Sequence, residues 1–380
     1  MSTPDMEPFR PPESPGDVKA DLIYLCGCAV NGTAADKARV DRMDLTALYQ
    51  TAQRHMLTAV AAHALAAAGV RNPAFLWAKE RAVRTAAMMD AEQAKILEKL
   101  ESAGIWYMLL KGAVLRDYYP AYGIREMYDR DILIDGDRAG DVRNIMKELG
   151  FSVEEYDEEA HGCCRKPPMI IFEMHRRLMG PMSGKEIYAY YLDVKKRLLK
   201  DAGNAFGFHL KAEDFYVYQV VHEYKHFSNE GTGLRPLLDT YVYLKNHDLD
   251  MNYVRAEVKK LGIEDYERMN RSLALHLFGG GTLTDAEQAG LDYALSFGTY
   301  GREENFARNL LEKEGKKGYF LSRLTLPYAR MLEIYPVLKK LPVLYPFCWA
   351  HRLLHALFCK KDKVLAQLKA GLAWKDRRQP

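Results

Sequence analysis

Between Asp17 and Gly104 the apolar positions recur at helical spacing. DLTALYQTAQRHMLTAVAAHALAAAG and AFLWAKERAVRTAAMMDAEQAKILEKLESAG each carry an alanine-rich apolar stripe and stop at a glycine, so each reads as one helix. The period changes at Ile105. IWYMLL is an unbroken apolar and aromatic run, followed at once by Lys111-Gly112 and the amphipathic AVLRDYYPAYG, a pattern that predicts strand, tight turn and helix. IREMYDRDILID holds the short apolar run Ile132, Leu133, Ile134 and predicts a second strand, and DRAGDVRNIMKELG predicts a helix closed by glycine. FSVEEYDEEA and MIIFEMHRRL read as strands on either side of a loop, HGCCRKPP, with the sheet ending near Leu178. Helices return from Lys185, most clearly in AEDFYVYQVVHEYKHFS, LRPLLDTYVYLKNH, YVRAEVKKLG and TDAEQAGLDYALSFG, and nothing after Gly180 reads as sheet.

The pattern therefore predicts an α+β chain: a small mixed sheet set between mostly α-helical flanks. The expected divisions are a disordered, proline-rich tail over 1–16, a helical region over 17–104, the sheet-bearing core over 105–180, a helical substrate-side region over 181–290 and a C-terminal helical region over 291–380. The tail is acidic where a signal peptide would be basic and then apolar, so secretion is not expected. The most apolar late segment, Leu341 to Cys359, is interrupted by Pro342, Pro346, His351, Arg352 and His355, so no membrane span is expected.

Charge narrows the partners. The chain has 54 Lys and Arg against 51 Asp and Glu, a formal +3, which excludes the overall electrostatic footprint of a dedicated nucleic-acid binder and makes any polyanion site local. Six cysteines without a C-x-x-C pair read as reduced thiols of a cytoplasmic protein. From Cys359 to Pro380 seven Lys or Arg stand against two Asp; a solvated terminal helix accounts for them, and a surface that binds a partner or an anionic membrane is the other reading.

Candidate chemistry gathers around the predicted sheet. Residues two apart in a strand point to one side, so Asp129 and Asp131 project together; a divalent cation relieves their repulsion, and hard oxygen ligands suit Mg2+ or Mn2+ shared with phosphates. The competing reading pairs each aspartate with Arg125 or Arg130. Lys111-Gly112 delivers backbone N–H groups and a positive charge toward a phosphate, or is an ordinary turn. In IIFEMHRRL, Glu173 and His175 share a face while Phe172 and Met174 face the core; the third carboxylate completes a two-metal set unless it is paired with Arg176 or Arg177. His222 and His226 fall one helical turn apart, with Arg235 and Asp239 on the next helix, an arrangement that lines a substrate cleft or ties two adjacent helices by a buried Arg–Asp or His–Asp contact. His55 and His63 read as packing or surface histidines.

The run LLKGAVLRDYYPAYGIREMYDRDILID followed by IFEMHRRL resembles the polymerase-beta type of nucleotidyltransferase, and within it the uncharacterised bacterial family marked by L-L-K-G and then R-x-x-x-D-x-D-x-L. The likeness covers about residues 40 to 245, including His222, His226, Leu234, Arg235 and Asp239. It implies Mg2+-dependent transfer of a nucleotidyl group from an NTP, ATP by default, to a hydroxyl of a small molecule, peptide or protein, with long nucleic acid not expected as a partner. It implies Asp129, Asp131 and Glu173 as catalytic metal ligands, and Lys111, Gly112 and Arg125 at the nucleotide. Two departures stand out: Ala113 where the superfamily has Ser or Gly, and Glu173 where Asp is commoner. They keep open a second reading, a nucleotide-binding or scaffold protein without turnover.

Overall fold

The structure is a computed structural model that describes residues 17–153, 161–229 and 231–296, and, within 315–359, all but 316, 319, 322–324 and 327. Contacts divide the chain into two compact units, Met1–Tyr224 with Thr232–Thr299, and Lys225–Gly231 with Tyr300–Pro380.

The first unit is built on a seven-stranded mixed sheet: β1 (Tyr107–Leu109), β2 (Arg130–Ile134), β3 (Ser152–Val153), β4 (His161–Lys166), β5 (Ile170–His175), β6 (Leu198–Lys200) and β7 (Gly207–Leu210), in the order β3-β4-β5-β2-β1-β7-β6. The buried strand β2 is antiparallel to β1 and parallel to β5. Helices α1 (Val18–Asn31), α2 (Lys37–Val40), α3 (Leu45–His55), α4 (Thr58–Ala67) and α5 (Pro73–Ser102) precede the sheet. Within and after it come α6 (Gly112–Leu115), α7 (Ala139–Glu148), α8 (Lys185–Tyr191), α9 (Ala212–Asn229), α10 (Leu234–Asn246), α11 (Met251–Lys260), α12 (Glu264–Gly279) and α13 (Asp285–Ser296).

Alternation along the strands decides which helices cover which face. Tyr107, Ile132, Ile134, Phe172 and Met174 pack against Met89 and Ile96 of α5 and Val142 and Met146 of α7. Met108 and Leu133 face the other way, onto Tyr191 of α8, Tyr218 and Val221 of α9 and Val258 of α11. A third core joins α1, α3 and α4 to α10, α12 and α13 through residues such as Leu25, Leu48, Val60, Tyr241 and Phe278.

Four expectations are corrected. The stretch read as one helix across His55 and His63 is two, because Met56 turns left-handed at φ 54; the Glu126 carboxylate then accepts the Ala59 N–H at 3.0 Å and caps α4. HGCCRKPP is not a loop: its first six residues form β4, paired antiparallel with β5, and escaped notice because Cys164 alone among its side chains is a deeply buried apolar group. The sheet does not end near Leu178, since β6 and β7 follow; they are three and four residues long, too short to show a period, and β7 pairs parallel with β1. AVLRDYYPAYG is not one amphipathic helix but the four-residue α6 and a 3-10 turn over Arg116–Tyr118. Of FSVEEYDEEA, residues 154–160 lie outside the described residues, as do the 1–16 tail and the basic end over 360–380.

Glu223 on α9 is buried where α9, α10 and α12 meet. It accepts hydrogen bonds from Gln219 Nε2 at 3.0 Å, Asn270 Nδ2 at 3.1 Å and Thr240 Oγ1 at 3.3 Å. Burial, reinforced by the nearby Asp239 charge, pushes its carboxyl from the ordinary 4.5 up to about 8 against those three bonds. A group whose folded pKa is raised binds more protons folded than unfolded, so it costs stability progressively as pH rises from about 4.5 to about 8. Glu223→Gln is therefore expected to melt close to wild type near the lower limit and above it at the upper. A melting-temperature difference that does not change with pH across that window would show that Glu223 ionises normally.

Candidate active site

The parallel pairing of β2 and β5 sets Asp131 opposite Glu173 and Leu133 opposite His175, all on the face that α9 covers. His175 Nε2 lies 2.7 Å from Asp131 Oδ1 and 3.4 Å from Glu173 Oε2. Lys111, between β1 and α6, brings Nζ to 2.6 Å from the same Oδ1. Asp131, Glu173 and His175 each offer a ligand atom within 4.8 Å of the others, a group that can hold a metal ion. Asp129, one residue before β2, is half-buried; burial raises its carboxyl pKa, and the charges of Asp131 and Glu173 raise it further, so the three carboxylates share one field.

That field is partly neutralised. Burial would raise the Asp131 pKa, but the Lys111 ammonium and the His175 contact overcome it and hold the carboxyl well below the usual range. The Lys111 ammonium is correspondingly held on its proton, since Asp131 outweighs a desolvation that acts the other way. In His175 the hydrogen bonds to Asp131 and Glu173 outweigh burial and raise the imidazole pKa. The Lys111 ammonium and the His175 ring both meet Asp131 Oδ1, and the Arg235 charge acts on Asp129. The arginines that might have paired with the aspartates are committed elsewhere: Arg130 is buried and turned onto α5, where Nη1 lies 2.7 Å from Asp90 and 2.9 Å from Gln93 Oε1.

The turn is built by two different constraints. Lys111 takes φ 45 and ψ −119, a conformation that β-carbon sterics disfavour, and from it the side chain meets Asp131. Gly112 has an ordinary φ; its lack of a side chain matters for space, because a Cβ there would stand 2.4 Å from Arg125 Nη1 and 2.8 Å from Met127 Sδ. With α6 a single turn and the Ala113 N–H already given to Leu110 O, the helix-end field expected for a phosphate shrinks to little more than Lys111 and the Gly112 N–H.

Arg125 was expected at the nucleotide. It is buried, and its Nε and Nη2 form a two-pronged bond to Asp239 at 2.7 and 2.8 Å, while Tyr119 Oη donates to the same carboxylate at 2.7 Å. Asp239 thus joins α10 to the segment before β2 and not to a neighbouring helix, and Nη1 of Arg125 is the prong left against Gly112. Arg235, at the start of α10, donates through Nη1 to Met56 Sδ and the Glu126 carbonyl, and its buried Nε has no hydrogen-bond partner. Among the described residues no carboxylate stands within ion-pair distance of Arg235, and its charge acts on Asp129. His222 lies on α9 with its ring 6.3 Å from that of Tyr218. His226, a turn further along α9, falls in the second unit.

Sequence reasoning missed Tyr218. It is fully buried, and its phenol feels Lys111, Asp131 and Glu173, so it covers the carboxylates from the α9 side. Its position one turn before His222 was the available signal. A cavity of about 80 Å³ opens beyond the segment leading into Asp129, between Arg81 and Met89 of α5 and Met127, Tyr128 and Met169.

Gly112→Ala should displace Arg125 and Met127 and lower stability by about 1–3 kcal/mol, the usual penalty for overpacking a filled site, as read by denaturant unfolding. Unchanged stability would mean that the guanidinium yields without cost.

No curated protein and no solved structure matches the chain. The sequence profile of a family described as "Uncharacterised nucleotidyltransferase" matches residues 41–279. That match is more than half the chain and takes in the whole sheet, the turn at Lys111, all three carboxylates and both α9 and α10. A conserved-fold match of that extent, over a site with this acidic geometry, means that the chain belongs to this family of nucleotidyltransferases.

Proposed function

We propose that the chain transfers a nucleotidyl group from an NTP, with ATP the default donor, to a hydroxyl of a small molecule, peptide or protein in the cytoplasm. The observation that carries this reading is the in-register Asp131–Glu173 pair with Asp129 in the same field. The donor set fits Mg2+ or Mn2+: hard carboxylate oxygens beside one imidazole. Asp129, Asp131 and Glu173 would hold the ions, which when bound neutralise the phosphates and the attacking oxygen.

The residues divide the remaining work. The acceptor hydroxyl attacks the α-phosphorus in line, its proton passes to Glu173, and the bond to the bridging oxygen breaks so that pyrophosphate leaves. His175, bonded to both Asp131 and Glu173, fixes their orientation. Lys111 stands in for the hydroxyl missing at Ala113: its ammonium rests on Asp131 and moves to the triphosphate when the carboxylate is neutralised otherwise. Arg125 Nη1 and Arg235 add positive charge on the α10 side, where Arg235 has no carboxylate of its own among the described residues. Tyr218 and His222 close the α9 side against water.

Incubation with each NTP and Mg2+, following pyrophosphate release and label transfer to the chain or to candidate acceptors, tests the reaction. Binding of Mg·NTP with no pyrophosphate from any donor would favour the scaffold reading. Lys111→Ala should weaken Mg·NTP binding about 10- to 100-fold by calorimetry, as expected for loss of one charge-assisted contact, with the fold intact by circular dichroism; unchanged affinity would leave Lys111 as a neutralising cation only. The carboxylates should separate. Asp129→Asn and Asp131→Asn lose both Mg·NTP binding and turnover, whereas Glu173→Gln still binds and turns over at least ~10²-fold more slowly. Wild-type behaviour of Glu173→Gln in both measurements would place the third ligand elsewhere.

A further inference from the structure

The second unit carries a surface that the transfer reaction does not use. Between Glu333 and Asp362 the chain has no acidic residue at all, and from Ile334 to Pro380 ten Lys or Arg stand against two Asp. Over the same stretch the described residues form a 3-10 turn at Pro336–Lys339, another at Pro342–Leu344 and a helix at Tyr345–Cys359. Met331, Leu338 and Cys348 make a small core with Tyr335, Leu344 and Trp349 around it. That core leaves out much of the apolar side-chain area. Val337, Leu341, Val343, Phe347 and Leu354 are exposed, Val343 at 75% and Phe347 at 72%. Phe347 and Leu354 are two turns apart on the helix, hence on one face, with the exposed His351 between them.

Single exposed apolar residues are ordinary; five within 337–354, in a stretch free of carboxylates, are not. The combination selects its occupant. A protein interface is depleted of Lys together with Asp and Glu, whereas a lipid phosphate layer repels every carboxylate and favours Lys and Arg beside Phe, Trp, Tyr and Leu. Among the described residues no helix is long and apolar enough to cross a membrane. We propose that residues 334–359 dock the protein on the surface of an anionic phospholipid membrane. Phe347, Val343 and Leu341 enter the boundary between headgroups and acyl chains, and the basic residues, Lys340 among them, lie at the phosphates. Residues outside the nucleotidyltransferase match thus hold the enzyme at an interface.

Flotation of the full-length protein with vesicles of phosphatidylcholine alone, and of phosphatidylcholine mixed with phosphatidylglycerol, tests this. The protein should float with the anionic vesicles and fall off as salt is raised. Phe347→Glu and Val343→Glu should each lower the bound fraction at least ~10-fold, the consequence of withdrawing one large apolar side chain from lipid. Lys340→Glu should lower binding to the anionic vesicles ~10-fold without creating binding to the neutral ones. Circular dichroism melts of each variant confirm that the surface substitutions leave the fold in place. The proposal is overturned if wild type stays with the bulk solution, if it binds neutral vesicles equally, or if Phe347→Glu still floats. It is also overturned if Phe347→Glu abolishes a dimer seen by light scattering while wild type ignores lipid. None of these outcomes depends on NTP turnover.

Discussion

Asp131 and Glu173 are brought face to face by backbone hydrogen bonding between β2 and β5, and their mutual repulsion is the constraint around which the site is arranged. Two carboxylates on neighbouring parallel strands, with Asp129 beside them, would cost several kcal/mol if buried without compensation. The chain offsets that cost with Lys111 and His175, both bonded to Asp131 Oδ1. The crowding of ligand atoms at Asp131, Glu173 and His175 is that of a group that can hold a metal ion. It also explains why Tyr218 can be fully buried above the carboxylates: the phenol presents a neutral wall where another charge would be intolerable.

The supporting ion pairs lie in two layers on opposite sides of the carboxylates, and each frees the site from a competing partner. Asp90 takes Arg130, with Arg116 and Tyr122 on the same carboxylate, and thereby fixes β2 to α5 through a side chain that points away from Asp129 and Asp131. Asp239 takes Arg125 and fixes α10 to the segment before β2. The Arg125–Asp239 tie is a two-pronged, hydrogen-bonded pair, which is what permits its burial; removing one partner would leave a stranded charge. With both arginines used in this way, Asp131 is met by Lys111 and His175, and Asp129 feels the charge of Arg235.

The helices were more legible than the sheet. Runs such as Pro73–Ser102 and Ala212–Asn229 have enough turns for the 3.6-residue period to emerge, and Glu173 with His175 followed from strict alternation around Phe172 and Met174. β4, β6 and β7 were illegible because their stability comes from neighbours in the sheet rather than from their own residues: His161–Lys166 has almost no apolar side, and Leu198–Lys200 is mostly solvent-facing. The same distinction separates Arg125 from Arg235. Nothing local says which arginine meets Asp239, since that depends on α10 arriving beside a turn more than a hundred residues earlier in the chain. Tyr218 was hidden for the same reason, an aromatic on an apolar helix face being indistinguishable from core until the sheet beneath it is known.

The order Lys-Gly at the turn now has a physical account. Backbone sterics alone would put the glycine first, because residue 111 is the one with positive φ, at 45°, and an L side chain there costs on the order of 1–3 kcal/mol. Lysine occupies it because from that strained position its ammonium reaches Asp131, and an unpaired buried Asp131 would cost more than the strain. Glycine occupies residue 112, whose φ any residue could adopt, because Arg125 and Met127 fill the space a Cβ would need. The two residues therefore answer to the two charged systems of the site in turn. Lys111 answers to the carboxylates on β2 and β5, and Gly112 to the Arg125–Asp239 tie behind them. Exchanging the pair would relieve the backbone while stranding the aspartate and forcing the guanidinium out of its seat, so the strained order is the more stable one.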